Sequence, residues 1–499
     1  MKSILNTMKK LIFYLILFLL LSGFNHSKPG DDLKAYVFNR LETVKTQKKQ
    51  QLLELFGRIE KTAKSAKIDP ILIAFHHTLN RDKDLLAPDA RIPAELRSGI
   101  EKYLRSINEY YLNSYLDFYD ILFVDKQGFI FYNIRKESDY RTNILTGKLS
   151  ETRLAECMRT PNEEFFVDFQ YYSPAEEPAA FFLNRVCKDG EHQGWIVMQF
   201  ALNMLNSLLV DYSDLGDTGE VYIVNQDLLM LTDSRFTAER TSLNKRIDTE
   251  SVRDAFKKGS GSKLITGYRG VKVFTVYESF DLWDSRWAIV ASIEEDEIIT
   301  MHFRNNQKYY TEILLQSLNV EPLVSDQCRA HTGKQIKVDM DEFSRALPGK
   351  ILTTRGVSSC TAVTICYPGK FGYMAHISPR DKIYGKDNLT HLLKDMVRNI
   401  QYYEIHLNEM RDLRFVIIAN HLNSLNTILE KLMSYGIHLS QITFLYNSQA
   451  RYANVSFDCA NNSIVATWIY PQGKQGETCQ LSASAENMSG LIKRIIKYE

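Results

Sequence analysis

The chain has 499 residues, with 61 Lys and Arg against 60 Asp and Glu, for a formal net charge of +1. Hydrophobic residues at 44% and charged residues at 24% are globular values, which excludes bulk disorder; the balanced charge also argues against nucleic acid as a partner. Only one stretch is apolar enough to meet a bilayer core, so a polytopic channel or transporter is excluded.

That stretch is Leu11 to Leu21, preceded by Lys2, Lys9 and Lys10. A basic flank before a short apolar run reads as a signal peptide or signal anchor over residues 1–30. Ser22 and Gly23 are small, but Phe24, Asn25 and His26 make a poor cleavage site. Cleavage and anchoring to the membrane by residues 8–24 both stay open. Either places the following chain in an extracytoplasmic location, periplasmic or secreted. Seven cysteines follow, at 157, 187, 328, 360, 366, 459 and 479, without a C-x-x-C pair. Zinc-ribbon and thioredoxin-type motifs are therefore absent, and an odd count leaves at least one thiol unpaired. Cys157 with Cys187 is one conceivable disulfide; seven reduced core thiols are the alternative.

Residues 31–66 carry Leu33, Val37, Leu41, Leu52, Phe56 and Ile59 at helical spacing, and predict one long helix broken by Pro70. A second helix is predicted from Pro93 to Tyr119. The period then changes to that of strands. Ile121 to Val124 and Phe129 to Tyr132 flank a turn containing Gly128, and three more runs follow at 165–169, 180–186 and 195–200. A second strand set occupies 219–224, 228–231, 264–268, 271–277 and 286–293. Helix plus antiparallel sheet thus occurs twice, as a structural repeat. Gly259 to Lys263 lacks phosphate-loop spacing and reads as a flexible loop. His76 and His77 have no ligand partner at fixed spacing and read as helix surface, so no metal site is expected.

The long helix, the stretch from Tyr119 to Tyr132, the run L-G-D-T-G-E-V-Y-I-V-N-Q-D (Leu215 to Asp227) and W-A-I-V-A-S-I-E-E-D-E (Trp287 to Glu297) resemble the double-Cache sensor domain of bacterial chemoreceptors and sensor kinases. The resemblance implies two PAS-like modules over 31–298, a distal one at about 70–210 and a proximal one at about 211–298, with a small-molecule ligand in the distal module. Tyr140, Arg141 and Asp168 fall where that pocket takes its polar contacts: Arg141 for a ligand carboxylate, Asp168 for an amine. The family's second membrane helix has no counterpart, because Glu295 to Val320 is interrupted by Arg304, Asn305, Asn306, Gln307 and Lys308. Residues 299–345 read as a helical and polar linker.

Residues 346–499 form a separate pattern of strands and helices. Within it Thr354 and Ser359-Cys360 precede His376 by 22 and 16 positions, His376 lying in the run G-Y-M-A-H-I-S-P. Two strands joined at Pro368-Gly369-Lys370 bring a thiol beside an imidazole that can take its proton, with Thr354 as the ring's hydrogen-bond partner. The Thr, Ser-Cys and small-residue-His-apolar-x-Pro spacing is similar to the CheD family of chemoreceptor glutamine deamidases. Tyr384 to Met396 and Ala450 to Asp458 resemble later segments of that family. The family's Gly before Ser-Cys is Ser358 here, and two double-glycine stretches are replaced.

The resemblance implies an α/β sandwich in which Cys360 is the nucleophile on a glutamine side-chain amide, His376 the general base and Thr354 its orienting group, with a thioester intermediate and no cofactor. The expected architecture is α+β: a long helix with two antiparallel-sheet modules, then a CheD-like domain acting on a protein partner with an accessible Gln. The competing expectation is a ligand-binding receptor whose last domain is a non-catalytic interaction module.

Overall fold

The computed structural model describes residues 31–496 except 88–89, 92, 161–163, 210–214, 308, 312, 314–330, 332, 381, 384–385, 404, 406, 422–424, 462, 472, 474 and 482–486. The leading segment read as a signal or anchor lies outside the described residues. Among the described residues no helix is long and apolar enough to cross a membrane. The chain divides into two compact units, one of Val37–Glu294 and one of Glu295–Glu499 with the residues up to Tyr36.

In the first unit, helix α1 (Asp31–Ile68) buries Val37, Leu41, Val44, Leu52, Phe56, Ile59 and Ala63 along one stripe. Pro70 both stops this helix and starts the next, α2 (Pro70–Arg81), because a proline lacks the N–H that a first helical turn leaves unused. Asp69 caps α2 by accepting from the N–H groups of Ile71 and Leu72. Helix α3 (Ala94–Ser114) follows. Strands β1 (Asp120–Asp125) and β2 (Ile130–Asn133) form a hairpin whose turn places Gly128 at φ +86°, a backbone state open to glycine. After α4 (Arg153–Met158) come β3 (Glu164–Tyr172), β4 (Glu177–Lys188), β5 (Glu191–Ala201) and α5 (Asn203–Leu209). The sheet order is β2-β1-β5-β4-β3, antiparallel throughout.

The second module contains β6 (Glu220–Asn225), α6 (Glu250–Lys258), β7 (Ser260–Thr266), β8 (Lys272–Leu282) and β9 (Ser285–Glu294), with sheet order β6-β9-β8-β7, again antiparallel. Helix α1 serves both modules. Its Phe56 packs edge-on against Phe200 of β5 and against Trp283 and Trp287 at the β8–β9 hairpin, with ring centroids 6.1, 5.5 and 5.4 Å away.

Several expectations for this unit are corrected. Leu228 to Leu231 makes isolated bridges such as Val224 to Met230 and no strand. Gly259 to Lys263 is no flexible loop: Gly259 ends α6, and Ser260–Thr266 is edge strand β7, whose solvated face explains its polar composition. His76 is fully buried, with its ring nitrogen 2.9 Å from the Val124 carbonyl, because α2 lies against β1 and β2. Cys157 and Cys187 are free thiols and form no disulfide.

The second unit begins with α7 (Glu295–Asn305). Strands β10 (Lys334–Lys337), β11 (Glu342–Ala346), β12 (Lys350–Val357), β13 (Thr361–Tyr367) and β14 (Phe371–Ile377) follow. A small ladder of β15 (Lys382–Ile383) and β16 (Lys386–Asp387) leads into α8 (Asn388–Tyr403). Then come β17 (Arg414–Ala419), α9 (Leu425–Ser434), β18 (Ile442–Tyr446), β19 (Tyr452–Asp458), β20 (Ser463–Ile469), β21 (Gln475–Leu481) and α10 (Met488–Ile496). Two five-stranded sheets result, β10-β12-β19-β20-β21 and β11-β14-β13-β17-β18.

The inner faces of these sheets share one core. Leu352, Ala453, Val455, Phe457 and Trp468 from the first meet Ala362, Met374, Val416 and Ile418 from the second. Gly372 of β14 permits the close approach, since a Cβ there would sit 2.6 Å from Phe457 and Cys459. Strand β13 is buried on both faces, and α8 packs on the neighbouring strands β14 and β11.

The linker reading of 299–345 runs too far. Residues 334–346 supply two edge strands, whose four or five residues with few apolar side chains leave only a weak alternation to read.

Candidate functional site

Strands β13 and β14 pair so that Ala362 faces His376, and both project into the sandwich. Cys360 lies two residues before Ala362 and therefore on the same face, diagonal to His376. Thr354 belongs to β12 of the opposite sheet, where it pairs with Val455 and points inward. Its hydroxyl lies 2.7 Å from His376 Nδ1 and donates to the Val338 carbonyl at 2.8 Å. With its single proton engaged on Val338, the hydroxyl accepts from His376. This assigns the proton to Nδ1 and leaves the lone pair on Nε2. His376 Nε2 is buried with no hydrogen-bond partner among the described residues, and the residue is 3% exposed.

The structure thus gathers Thr354, Cys360 and His376 at one end of the sandwich core. It does not join the thiol to the ring by a hydrogen bond. Cys360 is a free, buried cysteine, 6% exposed, and its Sγ lies 3.8 Å from Met340 Sδ. Burial and the Asp341 charge push the thiol above its usual range, against the Ser358 N–H, the Ser359 hydroxyl and the Arg380 charge. Burial likewise holds the His376 imidazole low, while Asp341 and Asp339 pull it up. At neutral pH the pair is thiol plus neutral imidazole, the state in which a ring can accept a proton.

Three residues at this end were not legible in the sequence. Met340 covers the sulfur. Asp341, at φ +65°, donates its N–H to the His376 carbonyl at 2.6 Å. Its Oδ1 accepts from Ser378 N at 2.9 Å and from Asn388 Nδ2 at 2.8 Å. Asn388 opens α8 and lies far along the chain, so no local pattern announces the knot.

In the first unit, the predicted pocket residues are not brought together. Asp168 accepts from the Trp287 indole at 2.9 Å, and burial raises its carboxyl. It sits on β3 at one edge of the sheet, whereas Tyr140 and Arg141 follow β2 at the other. Arg141 bonds the Lys83 carbonyl at 3.2 Å, and Tyr140 reaches the Leu86 carbonyl at 3.5 Å. Strand β3 shifts register between Val167 and Gln170, and the irregularity holds Asp168 buried against Trp287.

A different group converges near Tyr140. Asp139 accepts from Tyr172 at 2.7 Å and from Asn133 at 2.8 Å. Glu137 accepts from Tyr119 at 2.6 Å, and its Oε2 is buried without a partner among the described residues. Asp120 Oδ1 takes three backbone N–H groups, from Ile121, Ile134 and Arg135, while its Oδ2 is similarly unpartnered. Burial pushes Asp120 up to about 7. The Lys136 amine sits 3.2 and 3.8 Å from the ring centres of Tyr132 and Tyr140, and burial lowers it to about 7 against the pull of Asp120 and Asp139. The Gly216-x-x-Gly219-Glu220 motif ends in a closed knot, in which Glu220 takes the Tyr268 hydroxyl at 2.6 Å.

No family model matches this chain, and no curated protein matches it. Solved structures similar to its first half include an extracellular ligand binding receptor from Desulfohalobium retbaense, at 14% identity over 51% of this chain and TM-score 0.35. That match spans 40% of the receptor's own length. The periplasmic sensory domain of the Campylobacter jejuni chemoreceptor Tlp1 is similar at 13% identity, over 52% of this chain and 95% of that one, with TM-score 0.36. The ligand-binding domain of the Pseudomonas fluorescens chemoreceptor CtaA, solved with L-serine, is similar at 14% identity, over 53% and 99%, with TM-score 0.32.

Proposed function

We propose that this chain is an extracytoplasmic small-ligand sensor joined to a CheD-like protein-glutamine deamidase. The observation that carries the enzymatic half is the Thr354-oriented His376, whose buried Nε2 is left without a partner among the described residues on the face it shares with Cys360. Leaving a buried acceptor unpaired costs free energy, and a working base recovers that cost when a thiol proton reaches it. His376 takes the Cys360 proton as sulfur attacks the side-chain amide carbon. The ring returns that proton to the departing nitrogen, ammonia leaves, and a thioester forms. Water, deprotonated by the same ring, then releases glutamate and the free thiol. Thr354 holds the ring in the tautomer that this sequence of steps needs.

The sensing half is supported by the cluster of Asp120, Glu137 and Asp139 beside Tyr132 and Tyr140. Its unpartnered carboxylate oxygens fit a small ligand carrying an amine. The competing reading, a non-catalytic C-terminal module, is favoured by the absence of a hydrogen bond between Cys360 and His376 and by the covering of the sulfur by Met340.

Ammonia release from glutaminyl peptides by the full chain decides between them. Cys360→Ala and His376→Ala should each fall to background, and Thr354→Val should fall by ~10- to 100-fold. Unchanged release in Cys360→Ala and His376→Ala removes the deamidase reading.

A further inference from the structure

The sulfur assigned to catalysis is covered, and the cover has a particular construction. Met340 sits in the short connection between β10 and β11, two edge strands of opposite sheets. The backbone on both sides of it is pinned. Val338 donates its N–H to the Thr353 carbonyl at 2.8 Å and accepts from Thr354 through its own carbonyl. Asp341 is tied to His376, Ser378 and Asn388. Displacing the connection would break these bonds and release Thr354, the group that orients the base.

Among the described residues the side chain is held only by the weak donation from the Cys360 thiol at 3.8 Å. Met340 is 50% exposed, while the sulfur beneath it belongs to a residue only 6% exposed. Methionine is unbranched, with three soft torsions and a polarisable thioether, so it can swing aside without moving the main chain.

We propose that Met340 is the access gate of the site, and that rotation of its side chain over the pinned 338–341 backbone admits a glutaminyl side chain to Cys360. The proposal rests on the deamidase reading for the identity of what enters, and on the geometry alone for the gating. When the thioether turns outward it uncovers the Cys360 sulfur, 3.8 Å beneath it, to an entering side chain.

The test is alkylation of the full chain, followed at each cysteine by peptide mapping, with iodoacetamide and with the bulkier N-ethylmaleimide. Exposed Cys187 serves as the internal reference. Met340→Ala should raise the Cys360 rate ~10-fold with iodoacetamide, and by more with N-ethylmaleimide, because an opened gate matters most to the larger reagent. Met340→Leu, similar in volume but branched and stiffer, should leave Cys360 as slow as wild type or slower. A Cys187 rate unchanged in both variants belongs to the same expected result. The proposal is overturned if Cys360 reacts at the wild-type rate in Met340→Ala. It is equally overturned if all cysteines accelerate together, or if the gain is the same for both reagents, since either marks general loosening. The two readings fail separately: ammonia release that persists in Cys360→Ala removes the deamidase, while a size-dependent alkylation gain in Met340→Ala still upholds the gate.

Discussion

Asp120 and His76 are both buried, and burial drives them in opposite directions. Asp120 is raised to about 7, and His76 is lowered to about 4. For Asp120 the folded state holds a proton that the unfolded chain has already lost, so stability falls as pH rises from about 4 to about 7. Asp120→Asn removes that dependence. It should raise the stability of the first unit at pH 8 by up to about 4 kcal/mol, since each pH unit separating the folded and unfolded values is worth ~1.4 kcal/mol. The gain should shrink progressively below pH 7 and vanish near pH 4, as read by thermal unfolding across pH. A gain independent of pH would mean that Asp120 is ionised in the folded protein. His76 acts with the opposite sign, because the unfolded chain takes up the proton first as pH falls below about 6.5, and stability is lost from there to about 4. Neither behaviour was visible in the sequence. Asp120 reads as a strand end and His76 as helix surface until the packing of α2 on β1 and β2 is known.

At the scale of elements, α2 shows how one carboxylate secures a helix and its neighbour. Asp69 Oδ1 caps the first turn, and Oδ2 accepts the hydroxyls of Tyr110 and Tyr115 at 2.7 and 2.6 Å. Burial opposes its ionisation, but the two hydroxyls and two N–H groups prevail and hold its carboxyl below the usual range. Its contribution is therefore full at neutral pH and is lost as pH falls through the lowered folded value. Asp69→Ala should cost ~3 kcal/mol, the sum of a lost cap and two hydroxyls, that of Tyr115 buried and that of Tyr110 half-buried, left without their acceptor. Denaturant unfolding at pH 7 measures it, and a cost below about 1 kcal/mol would mean that water replaces the carboxylate. The helices and most strands were legible because their apolar periods are long. Among the strands that escaped, β10, β11 and β21 lie at sheet edges, where a solvated face weakens alternation, whereas β12 lies inside its sheet and carries Thr353, Thr354, Arg355 and Gly356 in its second half; β7 was read only from Leu264 onward.

For the whole molecule, the consequence is where the second unit starts. Strand β10 pairs with β12, and the Val338 carbonyl holds Thr354. A fragment covering 295–499 keeps both contacts together with α7, whereas one covering 346–499 removes β10 and β11 and exposes two long sheet edges. The longer fragment should express as a soluble monomer with a cooperative unfolding transition. The shorter one should aggregate or lose cooperativity, as read by size-exclusion chromatography and circular dichroism. Equal behaviour of the two would make 334–346 dispensable, contrary to its hydrogen bonding.

The amino-acid order by itself determined the α+β class, the long first helix, the twofold sheet repeat and the candidate trio of Thr354, Cys360 and His376. The first three are encoded in helical or alternating periods and turn glycines, while the trio came from the resemblance of its Thr, Ser-Cys and His spacing to the CheD family. Tertiary structure alone decided which carboxylates converge in the first unit, that Asp168 serves the core, and that Met340 closes over the thiol. These depend on contacts between strands far apart in sequence. Strand twist and sheet packing set which side chains meet there, and no local pattern carries that information.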